Sequence, residues 1–87
     1  MSVNLCVEFD GESFDLWQTP THVTRMCLSG AGQVDGERAK RALQSYKEWV
    51  KGTLDGADRL EKSDVASHFT EIDNQIGRAK KIVVYGL

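Results

Sequence analysis

Cysteine and histidine are the residue types in this chain that could bind a metal ion. The chain has two of each, Cys6, His22, Cys27 and His68. Zinc sites usually take their ligands from closely spaced Cys or His pairs. Only His22 and Cys27 are near each other here, and they are five residues apart. We therefore expect no metal and no cofactor, and we interpret Cys27 as a small core residue.

A thiol nucleophile is the second chemistry that these residues could support. It needs a base within hydrogen-bonding reach and an acid that orients the base. Cys27 with His22 is the least implausible pair, and Asp15 is an available acid. However, Cys27 falls on the apolar side of its predicted helix, and no glycine-flanked turn surrounds either cysteine. We therefore do not expect an enzyme.

A glycine-containing stretch before a predicted helix is the third candidate, because helix N-termini attract phosphate groups. Residues 29–36 read SGAGQVDG, which lacks the lysine of a phosphate-binding loop and the spacing of a dinucleotide-binding loop. Asp35 would also repel a phosphate at the predicted helix start. The stretch 30–36 is therefore interpreted as a flexible connection.

Residues 35–51 form the strongest helix in the sequence, and the other segments are expected to pack on it. Asp35 is a plausible N-cap, and Gly52 stands where a helix commonly ends. At 100° per residue the apolar side chains lie within about 120° of one another. They are Ala39, Ala42, Leu43, Tyr46, Trp49 and Val50.

The opposite side of helix 36–51 is basic, and it suggests a nucleic-acid-binding surface as an alternative function. The residues concerned are Lys40, Arg41, Lys47 and Lys51. Arg78, Lys80 and Lys81 could converge on the same patch. A solvated helix face is favoured, because Glu48 interrupts the row and Glu37 is placed to pair with Arg41.

The N-terminal residues predict a β-hairpin. Residues 3–9 alternate apolar and polar, Asp10-Gly11 suits a two-residue turn, and residues 14–18 pair back. This register sets Val7 opposite Phe14 and Leu5 opposite Leu16. It leaves a second face, for which we predict a role in partner binding. Its residues are Asn4, Cys6, Glu8, Asp15 and Trp17.

The remaining elements complete an α+β fold. Residues 20–29 are interpreted as a short helix with Thr19 as a possible cap, although a strand over 21–28 competes. Residues 64–77, capped by Ser63, form a second amphipathic helix, and 81–87 form a strand that joins the hairpin. The expected order is β-β-α-α-α-β. Two to three helices then cover one face of a three-stranded antiparallel-type sheet.

Length and composition indicate a single domain over residues 1–87. The sequence is 40% hydrophobic and 28% charged, with a net charge of −2. The first residues have neither the basic segment nor the apolar segment of a secretory signal, and no apolar run approaches a membrane span. Two cysteines in such a chain suggest reduced thiols in the cytoplasm.

These features together predict a small cytoplasmic protein–protein interaction module. It would act by binding a protein partner, or itself as a homodimer, through the second sheet face or a sheet edge. An adaptor, an accessory subunit or an inhibitor-type protein of a phage or mobile element would have these features. The grounds are the lack of catalytic spacing and a core too small for a deep substrate cavity.

Overall fold

The chain folds as a two-layer α+β domain, as the sequence predicted. The computed structural model describes residues 1–29, 32–54 and 59–87, with side chains for all of these except 59–65. In chain order the elements are β1 (Ser2–Phe9), β2 (Glu12–Pro20), α1 (Thr21–Cys27), β3 (Gln33–Asp35), α2 (Gly36–Leu54), α3 (Arg59–Arg78) and β4 (Ile82–Gly86). None of these helices is long and apolar enough to cross a lipid bilayer.

The sheet has four strands in the order β2-β1-β4-β3, and each neighbouring pair is antiparallel. The predicted pairing of the C-terminal strand with the hairpin is confirmed. The predicted count of three strands is corrected to four, because Gln33–Asp35 pairs with β4. This short strand carries a single buried apolar side chain, Val34, between glycines. Three residues cannot show the alternation that identifies a strand in a sequence.

The turn between β1 and β2 confirms the predicted two-residue hairpin. Asp10 and Gly11 both have positive φ, 52° and 89°, which the tight hairpin turn requires. Val7 pairs with Phe14, as expected. Further along, Cys6 pairs with Asp15 but Asn4 pairs with Gln18, so a bulge interrupts the ladder. Both Leu16 and Trp17 therefore stand opposite Leu5, where strict alternation placed Leu16 alone.

All three helices lie on one side of the sheet, over a core made from alternate strand residues. Leu5, Val7 and Phe9 of β1 enter this core, together with Val34 of β3 and Val84 of β4. From α2 the predicted apolar face is buried, except that Trp49 is half-buried. The strand residues of opposite parity lie outside this core cluster. The described helices therefore do not pack on the other face of the sheet.

The helix boundaries differ from the predicted ones at several ends. Helix α2 continues through Gly52 to Leu54, and Asp35 is the last residue of β3. Helix α1 has Pro20 at its N-cap, whose side chain cannot form a hydrogen bond, and the hydroxyl of the predicted cap Thr19 bonds the Thr24 hydroxyl. Helix α3 begins at Arg59, before the predicted Ser63 cap.

Tyr46 of α2 connects the two layers at the bulge. Its side chain has no accessible surface, and its hydroxyl accepts a hydrogen bond of 3.0 Å from the backbone N–H of Trp17. The ring also packs against Trp49 and Phe69, with centroid separations of 6.1 and 6.3 Å. The same tyrosine thus meets strand β2, its own helix and helix α3.

We expect Gly86→Ala to destabilise the fold, whereas Gly52→Ala should stabilise it. A Cβ at Gly86 would lie 3.1 Å from Thr24 Cγ2 and 3.2 Å from Leu28 Cδ1, two buried side chains of the α1 region. Such overpacking costs about 1–3 kcal/mol. A Cβ at Gly52 would meet nothing within 4 Å, so alanine in α2 should add about 0.5–1 kcal/mol. Urea unfolding measures both changes. Equal effects would contradict the close approach of α1 to β4.

Candidate functional site

The face of the sheet opposite the helices is the candidate functional site, and we call it the open face. The strand register assigns its members, because residues that pair across strands point to the same side. They are Asn4, Cys6 and Glu8 of β1, Ser13, Asp15 and Gln18 of β2, Gln33 and Asp35 of β3, and Val83 and Tyr85 of β4.

Three of the five predicted partner-binding residues lie together on the open face with accessible surface. These are Asn4, Glu8 and Asp15. Cys6 is on the same face but only 1% exposed, so it supports its neighbours and offers no surface to a partner. Trp17 lies in the bulge, and Gln18 therefore occupies the position opposite Asn4 that the sequence predicted for Trp17. The tryptophan is 38% exposed on the outer strand of the sheet.

Side-chain hydrogen bonds connect neighbouring strands across the open face. The Cys6 thiol donates to Asp15 Oδ1 at 3.2 Å. The Ser13 hydroxyl donates to Glu8 Oε1 at 3.3 Å, and the Tyr85 hydroxyl donates to Ser13 Oγ at 3.5 Å. These contacts run from β4 across β1 to β2, and they restrict the side chains that a partner would meet.

The Cys6 thiol is held in its protonated form. Burial, together with the hydrogen bond to Asp15 and the negative charge of Asp15, raises its pKa from 9.0 to about 11. A thiol that donates to a carboxylate loses that bond when it ionises. Cys6 is therefore a hydrogen-bond donor in the sheet, and its environment opposes nucleophilic activation.

The open face is acidic, a property that sequence analysis did not identify. None of the 11 lysines and arginines lies in any of the four strands. Glu8, Asp15 and Asp35 occupy open-face positions, and no strand residue is cationic, although Asp35 also lines a depression with lysines of α2 and of the segment before β4. Val83, which is 6% exposed, and the half-buried Tyr85 form the apolar middle. A shallow depression lined by Glu8, Gln33 and Tyr85 lies beside them.

The four predicted nucleic-acid contacts on α2 differ in their immediate surroundings. Lys40 pairs with Glu37 at 3.5 Å and lines a depression that also holds Asp35, Lys80 and Lys81. Lys40, Lys80 and Lys81 therefore share this depression, which Arg78 does not line, and two carboxylates share it with them.

The other three positions have different surroundings. Lys47 contacts Asp73 of α3. Arg41 lines a groove on the α1 side of α2, and Lys51 is exposed near the end of α2. Arg38, which was not predicted as a site residue, lines the same groove as Arg41. The two arginines are three residues apart, and this spacing could have indicated that they are neighbours on the helix.

The cysteine and histidine residues do not assemble a metal site in the part of the chain that the structure describes. No three His, Cys, Asp or Glu side chains come together there. Cys27 is buried, which raises its pKa, whereas His22 on the same helix is exposed. Both cysteines are free thiols.

His68 of α3 is the one polar side chain in the described residues with a buried atom that lacks a hydrogen-bond partner, its Nε2. It lines a cavity of about 290 Å³ between α3 and β2, next to Phe14 and Ile72. Desolvation lowers the His68 pKa, and the nearby negative charge of Glu71 opposes that shift.

Comparison with protein-family models, curated protein sequences and solved structures gives no match for this chain.

We expect Cys6 to react slowly with thiol reagents in the native protein. The two-unit rise in pKa lowers the thiolate fraction at pH 8 about a hundredfold relative to an unperturbed thiol. The measurement is the rate of disulfide exchange with an aromatic disulfide in a Cys27→Ala background. Asp15→Asn should raise that rate several-fold, because the carboxylate no longer opposes ionisation. If Cys6 reacted at the rate of free cysteine in the protein that keeps Asp15, that result would contradict a buried, hydrogen-bonded thiol.

Stability should fall as the pH drops from about 7 to 5, with His68 contributing to the loss. Its pKa is lower in the folded chain than in the unfolded chain, so protonation favours the unfolded state below the unfolded pKa of about 6.5. His68→Gln should reduce the slope of the unfolding free energy over this range. His22→Gln, at an exposed position of α1, is the matched control. An identical slope in His68→Gln and the wild type would contradict the assignment.

Proposed function

We propose that this chain is a small protein-interaction module that binds a basic surface of a partner protein through its open face. The observation that supports this proposal is a sheet face on which no described helix packs, with three carboxylates and no cationic strand residue. The half-buried Tyr85 supplies apolar contact beside the buried Val83, and Glu8, Asp15 and Asp35 surround them. Interfaces combine such an apolar centre with a polar rim.

Charge complementarity favours a foreign partner over a second copy of the same face. In a two-fold homodimer built face to face, the carboxylates of Glu8, Asp15 and Asp35 would meet the same three groups across the interface. Such like-charge contact opposes association. A surface rich in lysine and arginine would instead be attracted, and its binding would weaken as salt is added.

The size of the face favours reversible binding. A standard stable interface buries about 800 Å² on each partner, which is about one seventh of the 5616 Å² accessible surface of this chain. Four strands that are three to nine residues long and spaced about 4.8 Å apart form a face of roughly half that area. A partner that covers only the open face would therefore form a transient complex, unless it also contacts the exposed Trp17 at the edge.

The setting we propose is the cytoplasm, with an adaptor, accessory or inhibitor-type role. Support comes from Cys6 and Cys27, which are both unpaired thiols. A reducing compartment preserves free thiols. Because an interaction module needs no reacting group, the raised pKa of both thiols is consistent with a binding role.

Nucleic-acid binding is the second candidate function. It is supported by the confinement of all 11 lysines and arginines to segments outside the strands and by the shared depression of Lys40, Lys80 and Lys81. It ranks second because Asp35 and Glu37 line the same depression, and Lys47 is bound to Asp73. Backbone binding requires cations that are free to replace counterions.

Site-specific photo-cross-linking in the source cell tests the interaction surface. A photo-reactive residue replaces Gln33 on the open face, and the matched control replaces Gln44, an exposed glutamine on the outer side of α2. We expect a discrete protein adduct from position 33 and none from position 44. Charge reversal by Glu8→Lys with Asp35→Lys should remove that adduct.

Two results would contradict the proposal. One is the absence of any adduct at position 33, and the other is an equal yield of the same adduct at both positions. Circular dichroism of the charge-reversal variant verifies that its loss of binding is not a loss of folding.

A further inference from the structure

A groove between α1 and α2 combines two arginines with two serine hydroxyls. Arg38 and Arg41 are three residues apart on α2 and line its one wall, while Ser45 lies one turn further along. Ser29, which follows α1 with a φ of 53°, lines the other side. The groove has a volume of about 180 Å³.

The two arginines have no competing anion in the described part of the chain. Neither takes part in an ion pair there, and no aspartate or glutamate lines the groove. Glu37, the nearest acidic residue in sequence, pairs with Lys40, which lines a different depression. The guanidinium groups therefore retain their hydrogen-bonding capacity for a ligand.

The floor of the groove is apolar and well packed. Cys27, Val34 and Ala42 form it, and each is at most 5% exposed. Two carbonyls near the end of α1 are occupied, since Thr24 and Met26 accept from the backbone N–H groups of Leu28 and Ser29. An anion in the groove would meet the guanidinium and hydroxyl donors on its walls.

We propose that this groove binds one phosphate group, held by Arg38 and Arg41 with the hydroxyls of Ser29 and Ser45. Guanidinium groups make paired, charge-assisted hydrogen bonds to phosphate oxygens, and serine hydroxyls donate to the remaining oxygens. The ligand class is a phosphate monoester. The volume of about 180 Å³ suits one such group with a few further atoms.

The test is a titration of the full chain with inorganic phosphate and glycerol phosphate at low ionic strength, followed by ¹H–¹⁵N NMR. We expect saturable shifts at Arg38, Arg41 and Ser45, with half-saturation on the order of 1–10 mM. Arg38→Gln with Arg41→Gln should weaken binding at least tenfold. Arg25→Gln, which removes an arginine from a different depression beside Gly86, should change it less than twofold.

Three outcomes would overturn the phosphate site. The first is the absence of saturable shifts, and the second is an equal loss in Arg25→Gln, which would indicate only general attraction to a cationic surface. The third is that a short single-stranded oligonucleotide binds far more tightly than either phosphate compound, with a steep salt dependence. That result would assign these arginines to nucleic-acid binding. None of these readouts depends on the open face, so the failure of either proposal leaves the other standing.

Discussion

The hydrogen bond between the Trp17 N–H and the Tyr46 hydroxyl is the contact on which the arrangement of the two layers depends. A bulge in β2 puts two residues opposite Leu5 and takes the Trp17 N–H out of the regular ladder. Leaving such a group unpaired in a partly buried position costs about 1–3 kcal/mol. Tyr46, which is fully buried, supplies the acceptor and in doing so fixes α2 against β2. Residues three apart in a regular strand point to opposite faces. The bulge allows Leu16 and Thr19, which are three residues apart, both to be buried.

Confinement of the helices to one layer determines the charge distribution. The strand side chains that do not enter the core must point to the opposite face, and there they include Glu8, Asp15 and Asp35. Every lysine and arginine lies outside the strands. The open face and the α1/α2 groove therefore carry charges of opposite sign, a separation that the net charge of −2 does not reveal.

Sequence patterns predicted the features that depend on neighbouring residues in the chain. They failed for features that depend on contacts between residues distant in sequence. The Asp10-Gly11 turn follows from positive φ, and the buried face of α2 follows from helical period. Strand β3 is a strand only because β4 pairs with it, and the bulge is sustained by Tyr46, 29 residues away. Gly52 is a common terminating residue, yet packing of Leu54 on the core carries α2 past it. For the site, alternation placed Asn4, Glu8 and Asp15 correctly. It could not show that neighbours on adjacent strands bury Cys6, or that Arg38 would face α1.

The thinness of the domain bears on whether its two surfaces can be occupied together. The open-face carboxylates lie outside the sheet, and Arg38 and Arg41 are exposed on the helix layer. The shortest dimension of the molecule is 17 Å, about twice the Debye length of 8 Å at physiological ionic strength. Solvent-exposed charges at that separation are largely screened from one another. A basic partner on the sheet and a phosphate in the groove would then change each other's affinity little through direct electrostatics. Coupling between them would have to pass through packing, and the contact of Tyr46 with the bulge is one route between the helix layer and the edge of the sheet.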